Sequence, residues 1–267
     1  MVPIIDSHCH IYPEKIASRA VAGIGDFYDI PMALDGRAGT LLAQMGAVGI
    51  DHAVVSSCAT SPAQVKSIND FIADAVDKAE GKFTGLGTMH PESADLEADF
   101  EHLLALGLKG VKMHHDFQHF AVDDKKCLPI YDLCQEAGIV LLLHTGDKRY
   151  DYSNPEHVEP ILKQFPKLTV IGAHLGGWSM WDKAVDYLSG YDNFVVDCSS
   201  ALYAVTPEIA RDVMRAYGED RIMFGTDFPM WEAKGELRRV EKLGLSKAAQ
   251  EKLFYYNAKR IFSIDEI

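Results

Sequence analysis

His8 and His10 stand one residue apart in Ile4-Ile5-Asp6-Ser7-His8-Cys9-His10, directly behind an apolar run near the N-terminus. If that run is a strand, alternate side chains share a face, and both imidazoles leave its C-terminal end on one side. Imidazole is the commonest side-chain metal ligand, so two such rings make half of a metal site. Taken alone, the pair reads equally well as a polar strand end with accidental spacing. Cys9 alternates with the two histidines and is expected to point away from them. Further along, His144, His174 and Asp227 each close an apolar run of their own. With the His-x-His pair they offer three or four nitrogen and oxygen ligands with room for an open position, the donor set of a catalytic Zn²⁺-type site.

Those residues need a scaffold that gathers strand ends. Eight β-branched or apolar runs, at 3–7, 52–57, 83–88, 107–114, 139–144, 168–174, 194–198 and 221–226, alternate with amphipathic stretches at 39–48, 63–80, 93–106, 123–136, 155–164, 180–189 and 207–217. Ser61-Pro62, Asn154-Pro155 and Thr206-Pro207 are helix-start signals, and Gly49, Gly138 and Gly218 are helix stops. Strands alternating with helices predict parallel βαβ units, and eight such units close into a barrel. A doubly wound open sheet would place a Gly-rich phosphate turn after the first strand, where His8-Cys9-His10 stands instead. The expectation is an α/β fold, a single (β/α)8 TIM barrel domain over 1–267, with a last helix at 247–262 covering its exterior or bottom. Barrel active sites lie at the C-terminal strand ends. Seven of the 11 histidines (His8, His10, His90, His114, His115, His144 and His174) fall there, as does Asp227.

With 267 residues, 48% of them hydrophobic and 24% charged, the chain has an ordinary globular composition. A net charge of −13 argues against a nucleic-acid partner, which needs clustered Lys and Arg. The five cysteines form no Cys-x-x-Cys pair and read as reduced thiols of a cytosolic protein. The chain starts without a basic and apolar leader, and its longest apolar run, 139–143, is too short for a bilayer. A soluble, cytoplasmic protein without a membrane partner is expected.

Five segments in this order and spacing carry a family resemblance. They are Ile5-Asp6-Ser7-His8-Cys9-His10, Gly107-Leu108-Lys109-Gly110-Val111-Lys112, Leu143-His144-Thr145-Gly146, Ala173-His174-Leu175-Gly176-Gly177 and Asp220-Arg221-Ile222-Met223-Phe224-Gly225-Thr226-Asp227-Phe228-Pro229. The chain resembles the amidohydrolase superfamily, in the branch that also holds aminocarboxymuconate-semialdehyde and resorcylate decarboxylases. The resemblance implies that His8, His10, His144 and Asp227 bind one divalent metal, with Zn²⁺ the expected ion. It places His174 beside the metal-bound water as an acid/base or electrostatic group, and Asp227 as the catalytic base. Strand parity sets Lys112 and His114 on one face. In binuclear relatives a lysine at this position is carboxylated and bridges two metals, so a second metal is one reading. Binding of substrate, or offsetting local carboxylates, is the other.

Asp6 shares the parity of His8 and His10 and could orient one of them, or be a structural polar residue in the barrel base. Arg149 could recognise a substrate carboxylate, or be a surface residue. Trp178 and Trp181 read as packing residues. The 12–37 segment is the longest loop candidate, and its Phe27-Tyr28-Asp29 and Arg37 could reach over the metal. Three activities follow: metal-dependent hydrolysis of a small amide, ester or lactone; non-oxidative decarboxylation of a small unsaturated or aromatic acid; and a metal-binding barrel without turnover. The short chain lacks the long insertions of larger decarboxylases, which ranks hydrolysis first. The substrate is a small molecule, and a homodimer is the assembly the resemblance suggests.

Overall fold

The computed structural model describes residues 2–265 and 267. Strands β1 (Ile5–His10), β2 (His52–Ser56), β3 (Phe83–Gly85), β4 (Gly110–Met113), β5 (Val140–Leu143), β6 (Val170–Gly172), β7 (Phe194–Asp197) and β8 (Ile222–Met223) are parallel and pair in chain order. Two hydrogen-bonded runs, β1 to β3 and β4 to β8, meet at two seams. One is a bridge between Gly87 and Val111, and the other a bridge between Cys9 and Phe228. The Ser7 N–H donates to the Phe224 carbonyl at 2.9 Å and the His10 N–H to the Phe228 carbonyl at 2.7 Å, which closes the (β/α)8 barrel.

Twelve α-helical segments are described: α1 (Ala17–Tyr28), α2 (Ala38–Val48), α3 (Val65–Lys78), α4 (Leu96–Ala105), α5 (His115–Gln118), α6 (Leu128–Ala137), α7 (Pro155–Gln164), α8 (Trp181–Leu188), α9 (Pro207–Tyr217), α10 (Ala233–Glu241), α11 (Lys247–Glu251) and α12 (Asn257–Ile261). Capping follows the sequence signals. The Thr206 hydroxyl accepts from the Ile209 N–H with Pro207 behind it, and Gly49 and Gly138 stop their helices in left-handed conformations. None of these helices is long and apolar enough to cross a membrane.

Strand parity sorts the apolar residues into two layers. Ile5, Val54, Leu142, Ile171, Val195 and Met223 fill the barrel interior, whereas Ala53, Val55, Val111, Met113, Leu141 and Val196 pack outward in the core shared with the helices. Because Val111 and Met113 face outward, Lys112 between them points inward. The last segment seals the bottom of the barrel: Tyr255, Ala258, Phe262 and Ile264 join the inner cluster.

Three features depart from the sequence reading. A bulge between Asp6 and Cys9 shifts the β1–β2 register, opposing three steps on β1 to two on β2. Asp6 and Cys9 therefore share the outer side, and Asp6 does not lie on the face of His8 and His10. The 12–37 segment is not a loop; it contains α1, which packs Ala17 and Val21 inward although glycines at 23 and 25 weaken its intrinsic preference. Helix α10 follows a Pro-containing turn, and its mostly polar sequence hid it.

Glu236 on α10 is 1% exposed and pairs with Arg239, yet burial outweighs that pairing and pushes its carboxyl up to about 7. A group that ionises near 4.5 when unfolded and near 7 when folded takes stability away as pH rises across that window. Glu236→Gln should lie close to the parent near pH 4.5 and exceed it at pH 8 by about 3 kcal/mol, at roughly 1.4 kcal/mol per unit. Urea unfolding at both pH values checks this, and parallel stability profiles of the two proteins would refute it.

Candidate metal centre and active site

Once the bulge has inverted the parity of β1, His8 and His10 converge at the C-terminal mouth. Their Nε2 atoms lie 3.1 Å apart, and Asp227 Oδ1 stands 3.6 Å from the first and 3.4 Å from the second. A divalent ion with bonds of about 2.0–2.2 Å holds neighbouring ligands roughly 3.0–3.6 Å apart. This three-residue group fits such an ion in spacing and in donor chemistry. Asp227 comes to the group through a left-handed backbone (φ 59°) after Gly225, where a Cβ would stand 3.0 Å from that of His8. A side chain at 225 would push strand 8 away from the ligand pair.

Behind the ligands, a buried hydrogen-bond network sets the tautomers. His8 Nδ1–H donates to Asp197 Oδ2 at 2.9 Å, which leaves the Nε2 lone pair facing the cavity. His174 Nδ1–H donates to the Ser199 carbonyl at 2.9 Å, so its Nε2 accepts from His144 Nδ1–H at 3.1 Å. The Nε2 of His144 then also bears a lone pair. The ring of His144 stands apart from the three-residue group, with its Nε2 3.5 Å from Tyr28 Oη. His174 reaches the cavity because its backbone is left-handed (φ 61°), which overrides a parity that follows inward Ala173.

Lys112 is 1% exposed, and its Nζ lies 3.4 Å from His8 Nε2. Burial lowers its pKa. Burial pushes His8 down to about 4, with Lys112 adding to the push, and holds His114 and His144 well below the usual imidazole range. Burial alone would raise Asp227, but the His10 hydrogen bond and the neighbouring imidazoles hold it well below the ordinary carboxylate range. Asp197 falls to about 2, because His8 outweighs the opposing effect of burial. Neutral imidazoles beside ionised carboxylates are what a cation requires of its ligands.

The site opens into a cavity of about 520 Å³ whose lining includes His10, Lys112, His114, His144, His174 and Asp227. Tyr28, at the end of α1, roofs it and hydrogen-bonds His114 Nε2 at 2.8 Å. His114 stacks between His144 and Phe117, with ring centroids 4.1 and 3.8 Å away. Arg149 secures the roof. It donates to the Phe27 carbonyl at 2.7 Å, is held by both oxygens of Asp147, and lies against the rings of Phe27, Tyr28 and Trp178.

A model of the amidohydrolase family matches residues 5–264. The chain belongs to the amidohydrolase family. Among curated proteins it is similar to a 2-amino-3-carboxymuconate-6-semialdehyde decarboxylase of Dictyostelium discoideum, 21% identical over 240 residues. That match covers 74% of the chain and 66% of the relative, so the chain spans about two thirds of the relative's length. Among solved structures it resembles 5-carboxyvanillate decarboxylase from Sphingomonas paucimobilis (TM-score 0.79, 17% identity, 99% of this chain and 100% of that one). It also resembles a dihydroxybenzoic acid decarboxylase from Polaromonas sp. JS666 with bound manganese and 2-nitroresorcinol (TM-score 0.76, 18% identity, 100% and 98%). A putative 2-pyrone-4,6-dicarboxylic acid hydrolase from Pseudomonas putida superimposes at a TM-score of 0.69, with 20% identity and full coverage of both chains.

In this amidohydrolase the structure brings His8, His10, Asp227, Lys112, His114, His144 and His174 to one cavity. It turns the other strand-end histidines away. His115 meets Tyr131 Oη at 2.9 Å in the core, and His90 accepts from the Glu92 N–H. Arg149 is committed to Asp147 and Phe27, and Arg37 to Glu14 and Asp35, so neither is free for a substrate carboxylate. Trp181 Nε1–H supports the His174 carbonyl at 2.9 Å. Asp6 orients no ring; its carboxylate accepts from the Thr226 N–H and hydroxyl. The orienting carboxylate is Asp197, unnoticed in the sequence although it closes an apolar run as Asp227 does.

Asp197→Asn should therefore lower metal affinity by about 10–100-fold while the barrel still folds, through loss of the charged acceptor on His8 Nδ1. Competition against a chelator of known affinity measures this, and an unchanged affinity would remove Asp197 from the site.

Proposed function

We propose that this amidohydrolase is a metal-dependent carboxy-lyase that removes CO₂ from a small aromatic or conjugated unsaturated acid. The observation that carries the reading is the cavity floor, where a ligand group sits beside a buried lysine and beneath flat aromatic walls. Among the described lining residues the cations are Lys112 and Arg19, and the one carboxylate is Asp227, so the cavity favours an anion. Phe27, Tyr28, Phe117 and His114 suit a planar conjugated skeleton. The decarboxylases among its relatives support the same reaction. Chain length, which ranked hydrolysis first, does not separate the two: 5-carboxyvanillate decarboxylase superimposes over its full length.

His8, His10 and Asp227, with His144 as the fourth residue, would hold one divalent ion, manganese as in the Polaromonas relative or zinc. Once bound, the ion polarises a substrate oxygen and acidifies a water. Lys112 acts as an ammonium that meets the substrate anion, and the single-metal reading leaves it uncarboxylated. The aromatic walls exclude water from the scissile bond. When the bond to the carboxylate carbon breaks, its electron pair stays on the ring or alkene carbon, which needs one proton. Asp227 relays that proton to the carbon from a water in the site, which is left as hydroxide, while the Ser200 hydroxyl donates to Oδ2 at 2.6 Å. His174, with its Nδ1–H on the Ser199 carbonyl and its Nε2 on His144 Nδ1–H, positions the His144 ring.

A screen of hydroxybenzoates and dienoic acids for CO₂ release, run beside a lactone and amide panel, should give turnover in the acids. Asp227→Asn should lose about 10³-fold or more in kcat while some metal binding survives. Elemental analysis should find about one metal per chain. Hydrolysis without CO₂ release, a fully active Asp227→Asn, or two metals per chain would each overturn part of this assignment.

A further inference from the structure

The cavity is larger than the reaction needs. At about 520 Å³ it lies within the roughly 300–1,000 Å³ that encloses drug-sized ligands, whereas one substituted ring fills only its floor. The excess volume lies on one side. Beyond the metal end the cavity runs between α1 and α3, walled by Ile24 and Phe27 of the first helix and Ile68 and Phe71 of the second. All four are half-buried. Polar groups line it at Ser57, Cys58 and Thr60 after β2 and, at exposed positions towards the rim, at Arg19, Gln64 and Ser67.

Gly23 shows how that space is kept open. It lies inside α1 and lines the cavity, and a Cβ built there meets no atom within 4 Å. Its helical φ does not require glycine, and glycine inside a helix is unfavourable relative to other residues. Close packing does not explain it either. Gly23 is exposed at the edge of the cavity it lines, and a large side chain there would reach into the opening between the two helices.

We infer that the substrate acid carries an apolar extension, an alkyl chain or second ring, on the side of its skeleton away from the reacting carboxylate, and that this extension seats between α1 and α3. The inference rests on the carboxy-lyase reading for the reacting end alone; the chamber is apolar whatever chemistry occurs on the floor. Gly23 and Ile68 set how much extension is accepted. Arg19 at the rim suits a polar or anionic terminus on a longer extension.

The test compares a hydroxybenzoate with homologues bearing para-alkyl chains of increasing length. In the parent enzyme KM should fall by about fourfold per methylene over the first few, the value of burying each group. Gly23→Leu should collapse the preference, so that the ratio of kcat/KM for alkylated over unsubstituted acid drops at least tenfold. Its melting temperature should rise, because a helix-interior glycine is replaced, so misfolding does not account for the loss. Ile68→Ala, which removes wall from the opposite side, should weaken the longer homologues most. Calorimetric binding of para-alkylphenols, which lack the carboxylate, reads the chamber independently of turnover. If no acid releases CO₂ yet alkylphenols bind the parent and fail to bind Gly23→Leu, the chamber stands and the carboxy-lyase reading falls. Equal KM values along the series, with CO₂ released from all, would overturn the extension and leave the reaction standing.

Discussion

The pin between Asp6 and Thr226 is the contact on which the site depends. Asp6 is fully buried on the outer side of β1 and receives two hydrogen bonds from across the barrel seam, from the Thr226 N–H at 2.9 Å and its hydroxyl at 2.6 Å. Its Oδ1 also accepts from the N–H of His8, within the bulge itself. A buried carboxylate without such donors is costly, so the three bonds hold both sides of the seam in one arrangement. Two consequences follow. The bulge turns His8 and His10 inward, against the parity of the residues before it. The loop after β8 is placed so that the backbone N–H of Asp227 meets the His8 carbonyl at 2.9 Å. The half-sites on the first and last strands are thus assembled by one interaction behind both.

From that seam the order spreads through buried polar groups, each of which must find a partner. Asp197 takes His8 Nδ1–H; the Ser199 carbonyl takes His174 Nδ1–H; His174 Nε2 takes His144 Nδ1–H. These pairings leave the Nε2 lone pairs of His8 and His144 free, while both nitrogens of His174 are spent within the network. The network therefore does more than stabilise: it chooses which nitrogen of His8 and of His144 is basic and which is spent. Burial lowers the pKa values of His8, His114 and His144, and Lys112 beside them adds to that depression. The same ammonium is poorly matched to a cation beside it and well matched to an anion.

The barrel could be read from the sequence because its signals are local and repeated. Val195-Val196-Asp197 and Leu141-Leu142-Leu143-His144 each announce a buried strand and a polar end, and eight such runs leave few architectures. His8, His10, His144, His174, Lys112 and Asp227 were legible for the same reason. Parity was not, since a bulge depends on a contact between residues 6 and 226, and Asp6 was consequently given the wrong face. Helix α1 was hidden by Gly23, Gly25 and its distance from any cap residue, so the roof residue Tyr28 was read as part of a loop. Asp197 closes an apolar run as Asp227 does, but its partner His8 lies 189 residues away and only the folded barrel brings the two together.

Floor and roof are held by different means, and this separates reaction from recognition. The floor is built from strand ends locked by the closed barrel, whose hydrogen bonds leave its side chains little freedom. The roof is α1, which packs through few buried residues and is fastened at its far end by Arg149, with one hydrogen bond to Phe27 and an aromatic enclosure around the guanidinium. Changes in α1 therefore alter the cavity's outer chamber without moving the ligand pair, just as barrel enzymes vary their βα segments over a constant strand framework. A helix weakened by two interior glycines thus supplies much of the cavity wall.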